Sequence, residues 1–206
     1  MPRTTPPAAR RRLAKGEQRM AQLLDAAERE FVEVGYHAAT TNSIAARAGA
    51  SPGTLYQFFP NKEAMAQALA DRYLAELSRV YAFVDDPDLA LLSAEEVAER
   101  TVAPVVAFTK ANPGFKAIFA GAATPPHLAA STERLHVTLH GWMDALLAAF
   151  RPGLPAKVRR VKATVALSIV RALLPLIHAA RGAERTAYIA ELKNLMRVYL
   201  ESLPTE

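Results

Sequence analysis

The stretch TTNSIAARAGASPGTLYQFFPNK, residues 40–62, decides the fold of the N-terminal part of the chain. Thr41 can cap one short helix that ends at Gly49, and Ser51 can cap a second helix with Pro52 at its first position. Two short helices joined by a glycine turn form either a plain helical hairpin or a helix-turn-helix that reads DNA.

The spacing of apolar and polar residues favours the second alternative. Four apolar residues fall at positions that face inward in such a motif: Ile44, Ala48, Leu55 and Phe58. The residues left on the outside carry many amide, hydroxyl and ammonium donors, which suit base edges and phosphates. They are Thr41, Asn42, Ser51, Gly53, Thr54, Tyr56, Gln57 and Lys62. The stretch therefore predicts a DNA-binding surface.

The rest of the chain predicts helices only. A helix with an apolar stripe begins at Glu17 and stops at Gly35, and Asn61 can cap a longer helix after the quoted stretch. Further helical patterns follow up to Leu203, and no alternation of period two survives four residues. We therefore expect an all-α fold of about nine helices.

Composition and charge narrow the class of protein. With 206 residues, 51% of them hydrophobic, the chain can bury a core, and it has no cysteine for disulfides or thiolate metal sites. Residues 1–62 carry nine Lys or Arg against five acids, whereas residues 63–206 carry sixteen against fifteen. This excess suggests a polyanion-binding module, although a solvated run of charge looks the same. Without a signal-peptide pattern or a bilayer-spanning apolar run, we expect a soluble, cytoplasmic protein.

Residues 41–62, with the preceding helix and the following KEAMAQAL, resemble the N-terminal domain of the tetracycline-repressor (TetR) family of bacterial regulators. The segment GTLYQFFPNKE, residues 53–63, is the most specific part. The resemblance implies a homodimeric repressor that leaves a palindromic operator when a small molecule occupies the C-terminal domain. Residues 16–62 would then be the helix-turn-helix domain and 63–206 the ligand-binding and dimerisation domain. Residues 1–15 are rich in Pro, Ala and Arg and show no helical period, so we expect a flexible basic arm there.

The resemblance also implies roles for the exposed residues of the quoted stretch. Thr41 and Asn42 would contact phosphate and base respectively. Tyr56 and Lys62 would contact the DNA backbone. The recognition helix would carry Pro52, Gly53, Thr54 and Gln57. The amides of Asn42 and Gln57 can each pair with adenine through two hydrogen bonds.

The basic arm allows two interpretations. Arg10, Arg11 and Arg12 could enter a minor groove beside the recognised site, and a merely solvated arm is equally consistent with the sequence.

Other residues mark a candidate ligand pocket in the C-terminal domain. The aromatic residues and the methionine fit either a plain core or an apolar pocket between helices, His140 could hydrogen-bond a ligand, and Arg171 stands within an apolar helix where a buried charge would need a partner. The set is Phe108, Phe115, Phe119, His140, Trp142, Met143 and Arg171. The effector itself cannot be identified from these residues.

Metal binding and catalysis receive little support. Glu133, His136 and His140 lie at helical spacing that a zinc or nickel site would use, but histidines that are solvated or hydrogen-bonded are the commoner outcome, so we expect neither a metal nor a cofactor. We find no catalytic triad, phosphate loop or paired carboxylates. Two alternatives remain: a helix-turn-helix protein without an effector, and a metal-dependent enzyme on a helical scaffold.

The last two predicted helices, residues 156–180 and 184–203, have more apolar surface than one antiparallel contact can cover. Pairing across a two-fold axis would bury the remainder, so the sequence predicts a homodimer through these helices.

Overall fold

The computed structural model describes residues 7–119 and 129–204, and in these ranges every regular element is helical. The α-helices are α1 Pro7–Ala38, α2 Thr41–Arg47, α3 Pro52–Tyr56, α4 Lys62–Val80, α5 Ala94–Ala111, α6 Pro113–Phe119, α7 Ala129–Phe150, α8 Ala156–Ala179 and α9 Gly182–Glu201. Two 3-10 turns, Ala82–Asp85 and Pro87–Leu91, join α4 to α5. The expectation of an all-α fold is confirmed.

The first helix is longer than the sequence pattern predicted. It begins at Pro7, so residues 7–15 are helical and the prediction of a flexible arm is wrong for them, while residues 1–6 lie outside the described residues. Pro is favoured at the first helical position, and the following run of Ala, Arg, Leu and Lys consists of strong helix formers. The expected break at Gly35 is confirmed, because this glycine has φ 81° and interrupts the helical geometry of α1.

The chain divides into two compact units. The first comprises residues 1–71 with 113–131, and the second comprises residues 72–112 with 132–206. This division follows packing and differs in position from the boundary between residues 62 and 63, which remains a prediction about functional domains.

The first unit is built around α1. Leu23, Phe31, Ile44, Leu55 and Met65, from four different helices, are completely buried. The apolar residue of the α3–α4 connection that enters this core is Phe59, whereas Phe58, which the spacing placed inside, is only half-buried. In the same unit α6 packs on α1, and the backbone N–H of Gly114 donates to Glu28 Oε1 at 3.2 Å.

The second unit holds the C-terminal helices around a core that includes Tyr73, Met143, Leu192 and Met196, all completely buried. The predicted capping box at the start of α5 is confirmed: Ser93 Oγ accepts from the backbone N–H of Glu96, whose carboxylate accepts from the backbone N–H of Ser93.

Helix α8 is the one described helix that is long and apolar enough to cross a membrane by length and composition alone, a test that helices of soluble proteins also pass.

Candidate nucleic-acid interface

Local hydrogen bonds fix the ends of α2 and α3. Thr40, not Thr41 as the pattern suggested, caps α2: its Oγ1 accepts from the backbone N–H of Ser43 at 3.0 Å. Ser51 caps α3 as predicted, with Oγ accepting from the N–H of Thr54 at 3.1 Å. Between them Gly49 has φ 58°, which favours glycine because other residues adopt this region at a steric cost.

The outer face of α2 and α3 is polar because its apolar side chains point inward. Ile44, Ala45 and Leu55 are completely buried. Of the eight predicted DNA-binding residues, Asn42, Pro52, Gly53, Tyr56 and Gln57 are exposed, whereas Thr41, Thr54 and Lys62 are half-buried. The two helices thus hold the predicted residues on one small module in the first unit.

A hydrogen bond joins two of these residues across the motif. Thr41 Oγ1 lies 3.0 Å from Tyr56 Oη, and either hydroxyl can be the donor. Thr41 opens α2 and Tyr56 closes α3, so the bond fixes the separation of the two helices at their outer surface. The hydroxyl that accepts this bond keeps its own proton for another acceptor, such as a phosphate oxygen.

Arg47, at the end of α2, is held by two carboxylates of α1. Its Nε donates to Glu30 Oε2 at 2.7 Å and its Nη1 donates to Glu33 Oε1 at 2.9 Å. Hydrogen bonds from the side chains of Ser43 and Arg47 hold the pKa of Glu30 below its usual range. The cluster therefore attaches α2 to α1.

Arg19 supports the turn of the motif. Its Nη2 donates to the carbonyl of Gly49 at 3.1 Å, and its Nη1 lies within hydrogen-bonding distance of the carbonyl of Ala48 at 3.4 Å. Arg19 thus satisfies carbonyl groups that the end of α2 leaves without helical partners.

Lys62 occupies a position that the sequence did not indicate. Its Nζ donates to the carbonyls of Tyr36, His37 and Ala39 at 2.9, 3.1 and 3.1 Å, and it lies 4.6 Å from the centre of the Tyr36 ring. An ammonium group has three donors, and all three are used here. A phosphate contact would have to replace one of these bonds, so the geometry favours a role for Lys62 as a cap of α1 over the predicted backbone contact.

Tyr36 makes a second contact between the end of α1 and the start of α4. Its hydroxyl donates to Glu63 Oε1 at 3.2 Å, and burial, with the nearby carboxylate, raises the pKa of Tyr36. The acid beside Lys62 thus also binds the end of α1, and the first turn of α4 is anchored by two neighbouring residues.

Sequence reasoning missed the structural roles of Arg19, Arg47 and Glu30. A signal existed for Arg47, because Glu30 and Glu33 stand three apart and share one face of α1. No comparable signal existed for Arg19, whose partners outside α1 are backbone carbonyls.

The residues of the candidate ligand pocket do not lie in one unit. Phe115 belongs to the first unit, and the side chain of Phe119 lies outside the described residues. In the second unit Met143 is completely buried, Phe108 meets Tyr73 edge to face at 6.1 Å between ring centres, and His140 is half-buried.

Trp142 and Arg171 differ from the buried residues of this set. Trp142 is half-buried and stacks on Tyr81, with ring centres 5.2 Å apart, and burial raises the pKa of Tyr81 to about 12. Arg171 is exposed on α8, so the argument that placed it in a pocket, which assumed a buried charge, is not supported.

The possible metal ligands do not form a cluster. In the part of the chain that the structure describes, no three His, Asp or Glu side chains meet as a metal site would require. Burial and the charge of Arg171 lower the pKa of His136, against the opposing effect of Glu133.

Two family models cover most of the chain. Residues 93–200 match the tetracyclin repressor-like C-terminal domain, and residues 23–69 match bacterial regulatory proteins of the tetR family. The chain belongs to the TetR family. As a TetR protein it is a helix-turn-helix transcriptional regulator, and its described helices have the arrangement found in solved TetR-family structures.

Individual relatives match the sequence over only part of the chain. The chain is 44% identical over 61 residues to the HTH-type transcriptional activator FasR of Mycolicibacterium smegmatis, a match covering 30% of this chain and 28% of FasR. It is 30% identical over 122 residues to the HTH-type transcriptional regulator UidR of Escherichia coli K12, covering 57% of this chain and 59% of UidR. These matches thus span less than a third of FasR and less than two thirds of UidR.

A solved structure extends the comparison over nearly the whole chain. The regulator FadR of Bacillus subtilis, in complex with stearoyl-CoA, is 18% identical, with a TM-score of 0.60 and coverage of 88% of this chain and 95% of FadR. At this identity the likeness shows that the two proteins share the TetR fold.

Proposed function

We propose that the chain is a ligand-responsive DNA-binding regulator, most simply a repressor that leaves a palindromic operator when a small molecule binds residues 63–206. The observation that carries this proposal is the polar outer face of α2 and α3. It is held on a completely buried apolar underside and fixed by the bond between Thr41 and Tyr56. Soluble TetR-type regulators work in the cytoplasm, and we propose that location here.

We propose that some residues of this face recognise bases and that others contact the DNA backbone. Asn42 and Gln57 are exposed amides with both donor and acceptor groups, so we assign them to base edges. Pro52, Gly53 and Thr54 form the start of α3, which enters the major groove in helix-turn-helix proteins. The hydroxyls of Thr41 and Tyr56 are assigned to phosphate.

The partner in solution is proposed to be a second copy of the chain, bound through α8 and α9. Three valines on α8 and two residues on α9 are large, apolar and at least 38% exposed: Val158, Val161, Val165, Leu195 and Val198. On each helix they recur at helical spacing and so share a face, which a four-helix interface would remove from water.

The effector is proposed to be an apolar or amphipathic molecule. Support comes from the aromatic character of the second unit around Trp142 and Phe108, and from the FadR structure, which contains an acyl-CoA. Helix α4 is continuous from residue 62, next to the DNA-binding module, to residue 80 in the second unit. We propose that a change in its orientation alters the separation of the two recognition helices, which must match one turn of DNA, about 34–36 Å.

Selection of bound duplexes from a random DNA pool tests DNA reading. We expect an inverted repeat with half-sites about one helical turn apart. A pool that shows no enrichment after repeated selection would contradict the proposal.

Ligand response needs a separate test. Native mass spectrometry of protein purified from its own host should show a dimer that retains a small molecule, and operator DNA should weaken the binding of that molecule because coupling is reciprocal. Equal affinity of the molecule with and without operator would favour the alternative, a helix-turn-helix protein without an effector.

A further inference from the structure

Most basic side chains of the helix-turn-helix module are bound to carbonyls or carboxylates of the module itself. Residues 16–62 contain four basic side chains, Arg19, Arg29, Arg47 and Lys62. Arg19 and Lys62 donate to backbone carbonyls, and Arg47 pairs with two carboxylates. Over residues 16–62, all of which the structure describes, this leaves Arg29 as the one cation that no such bond engages.

DNA binding requires cations that are free to neutralise phosphates. The first ten residues of α1 supply them, because residues 7–16 contain Arg10, Arg11, Arg12 and Lys15 and no acidic residue. The side chains of Arg11 and Lys15 are exposed, and no hydrogen bond or ion pair among the side chains that the structure describes holds either of them. This segment therefore adds exposed positive charge to the single unengaged cation of the module, Arg29.

Helix geometry directs this charge toward the motif. Arg11, Lys15 and Arg19 are spaced four residues apart and thus lie along one side of α1. Arg19 marks where this side meets the motif, because its guanidinium binds the carbonyl of Gly49, two residues before the cap of α3. At a rise of about 1.5 Å per residue, Lys15 lies about 6 Å and Arg11 about 12 Å farther along the helix axis.

We propose that Arg11 and Lys15 form a basic stripe on α1 that binds DNA backbone phosphates beside the groove that α3 enters. The stripe supplies sequence-independent affinity, whereas α2 and α3 supply reading. The stripe makes the phosphate contacts that the sequence had suggested for Lys62, whose ammonium instead caps α1. This inference rests on the proposed function and adds a second DNA-contacting surface outside the helix-turn-helix.

The test measures how binding to a short duplex of random sequence depends on salt, so it needs no knowledge of the operator. The variant Arg11→Gln/Lys15→Gln removes both charges and keeps residues of similar helix propensity. Its control, Arg79→Gln/Lys110→Gln, removes two exposed charges from the second unit. A third variant, Lys62→Met, removes the capping ammonium.

The stripe variant should flatten the slope of log affinity against log salt by about 0.9 for each phosphate that it no longer neutralises, in each protomer. The control and Lys62→Met, measured well below its unfolding temperature, should keep the wild-type slope. An unchanged slope in the stripe variant, with a reduced slope in Lys62→Met, would overturn the inference while DNA binding itself stands. If the wild-type chain fails to bind DNA even at low salt, the proposed function fails as well.

Discussion

The hydroxyl groups of Thr41 and Tyr56 lie 3.0 Å apart, across the gap between the first helix of the motif and the recognition helix. Both residues are at the surface, and Tyr56 is 52% exposed. An exposed hydrogen bond between two hydroxyls contributes little to folding, since water competes for both groups. Its value lies in presenting two hydroxyls at a fixed separation, as contacts to one strand of DNA require.

We expect Tyr56→Phe and Thr41→Val each to weaken DNA binding by roughly 1 kcal/mol, about fivefold, and to weaken it equally for operator and unrelated DNA. The double variant should lose less than the sum, because each single change already removes the shared hydrogen bond. Fluorescence anisotropy with both duplexes measures this cycle. Additive losses would show that the two hydroxyls act independently.

Asn42→Ala and Gln57→Ala should behave differently, because their amides are assigned to base edges. Each should cost roughly 1–3 kcal/mol on the operator and little on unrelated DNA. Repeating the DNA selection with each variant should show a loss of preference at the contacted base pairs. A consensus identical to that of the wild-type protein in both variants would refute the assignment.

Lys62→Met should destabilise the fold rather than remove a phosphate contact. The substitution keeps an apolar stem beside Tyr36 and removes the donors to three carbonyls. Because Lys62 is half-buried, we expect a loss of about 1–2 kcal/mol in the free energy of unfolding. Urea unfolding measures it, with Lys110→Met, at an exposed position of α5, as the control that should change little. Equal stability of the two variants would contradict the capping role.

Stability should depend on pH through Glu30. Its pKa is depressed in the folded chain, so its contribution is complete above the unfolded pKa of about 4.3 and is lost as pH falls through the folded value. The wild-type protein should therefore be more stable than Glu30→Gln at neutral pH, and this difference should shrink in acid. Thermal unfolding of both proteins across this range checks the prediction, and a difference that grows in acid would reverse its sign.

Val161→Asp should convert the dimer to a monomer, because Val161 is 61% exposed on the apolar face of α8. A buried, unpaired carboxylate costs far more than the interface gains from one valine. Val137→Asp is a matched control, since Val137 is 60% exposed on α7. Analytical ultracentrifugation should show a monomer for the first variant and a dimer for the second; two dimers would exclude this face as the interface.

Much of the fold could be predicted because its determinants are local. The cap of α3, the glycine turn and the capping box of α5 each involve residues within a few positions of one another, and all three are present. Errors arose where local signals competed. Thr40 and Thr41 are both able to cap α2, and the prolines near the start of the chain outweighed, in our interpretation, the strong helix formers that follow Pro7.

The sequence by itself determined the class of the fold, the motif and most of the polar residues that face outward, because helical period and capping act within three or four residues. The tertiary structure alone decided what the cations do. Arg19, Arg47 and Lys62 have partners 14 to 30 positions away, and such partners become neighbours only when the helices pack. From the sequence alone, Lys62 has no visible partner and would be taken for a free charge. Placed against three carbonyls, Lys62 is part of the scaffold, whereas the exposed cations Arg11 and Lys15 lie near the other end of α1.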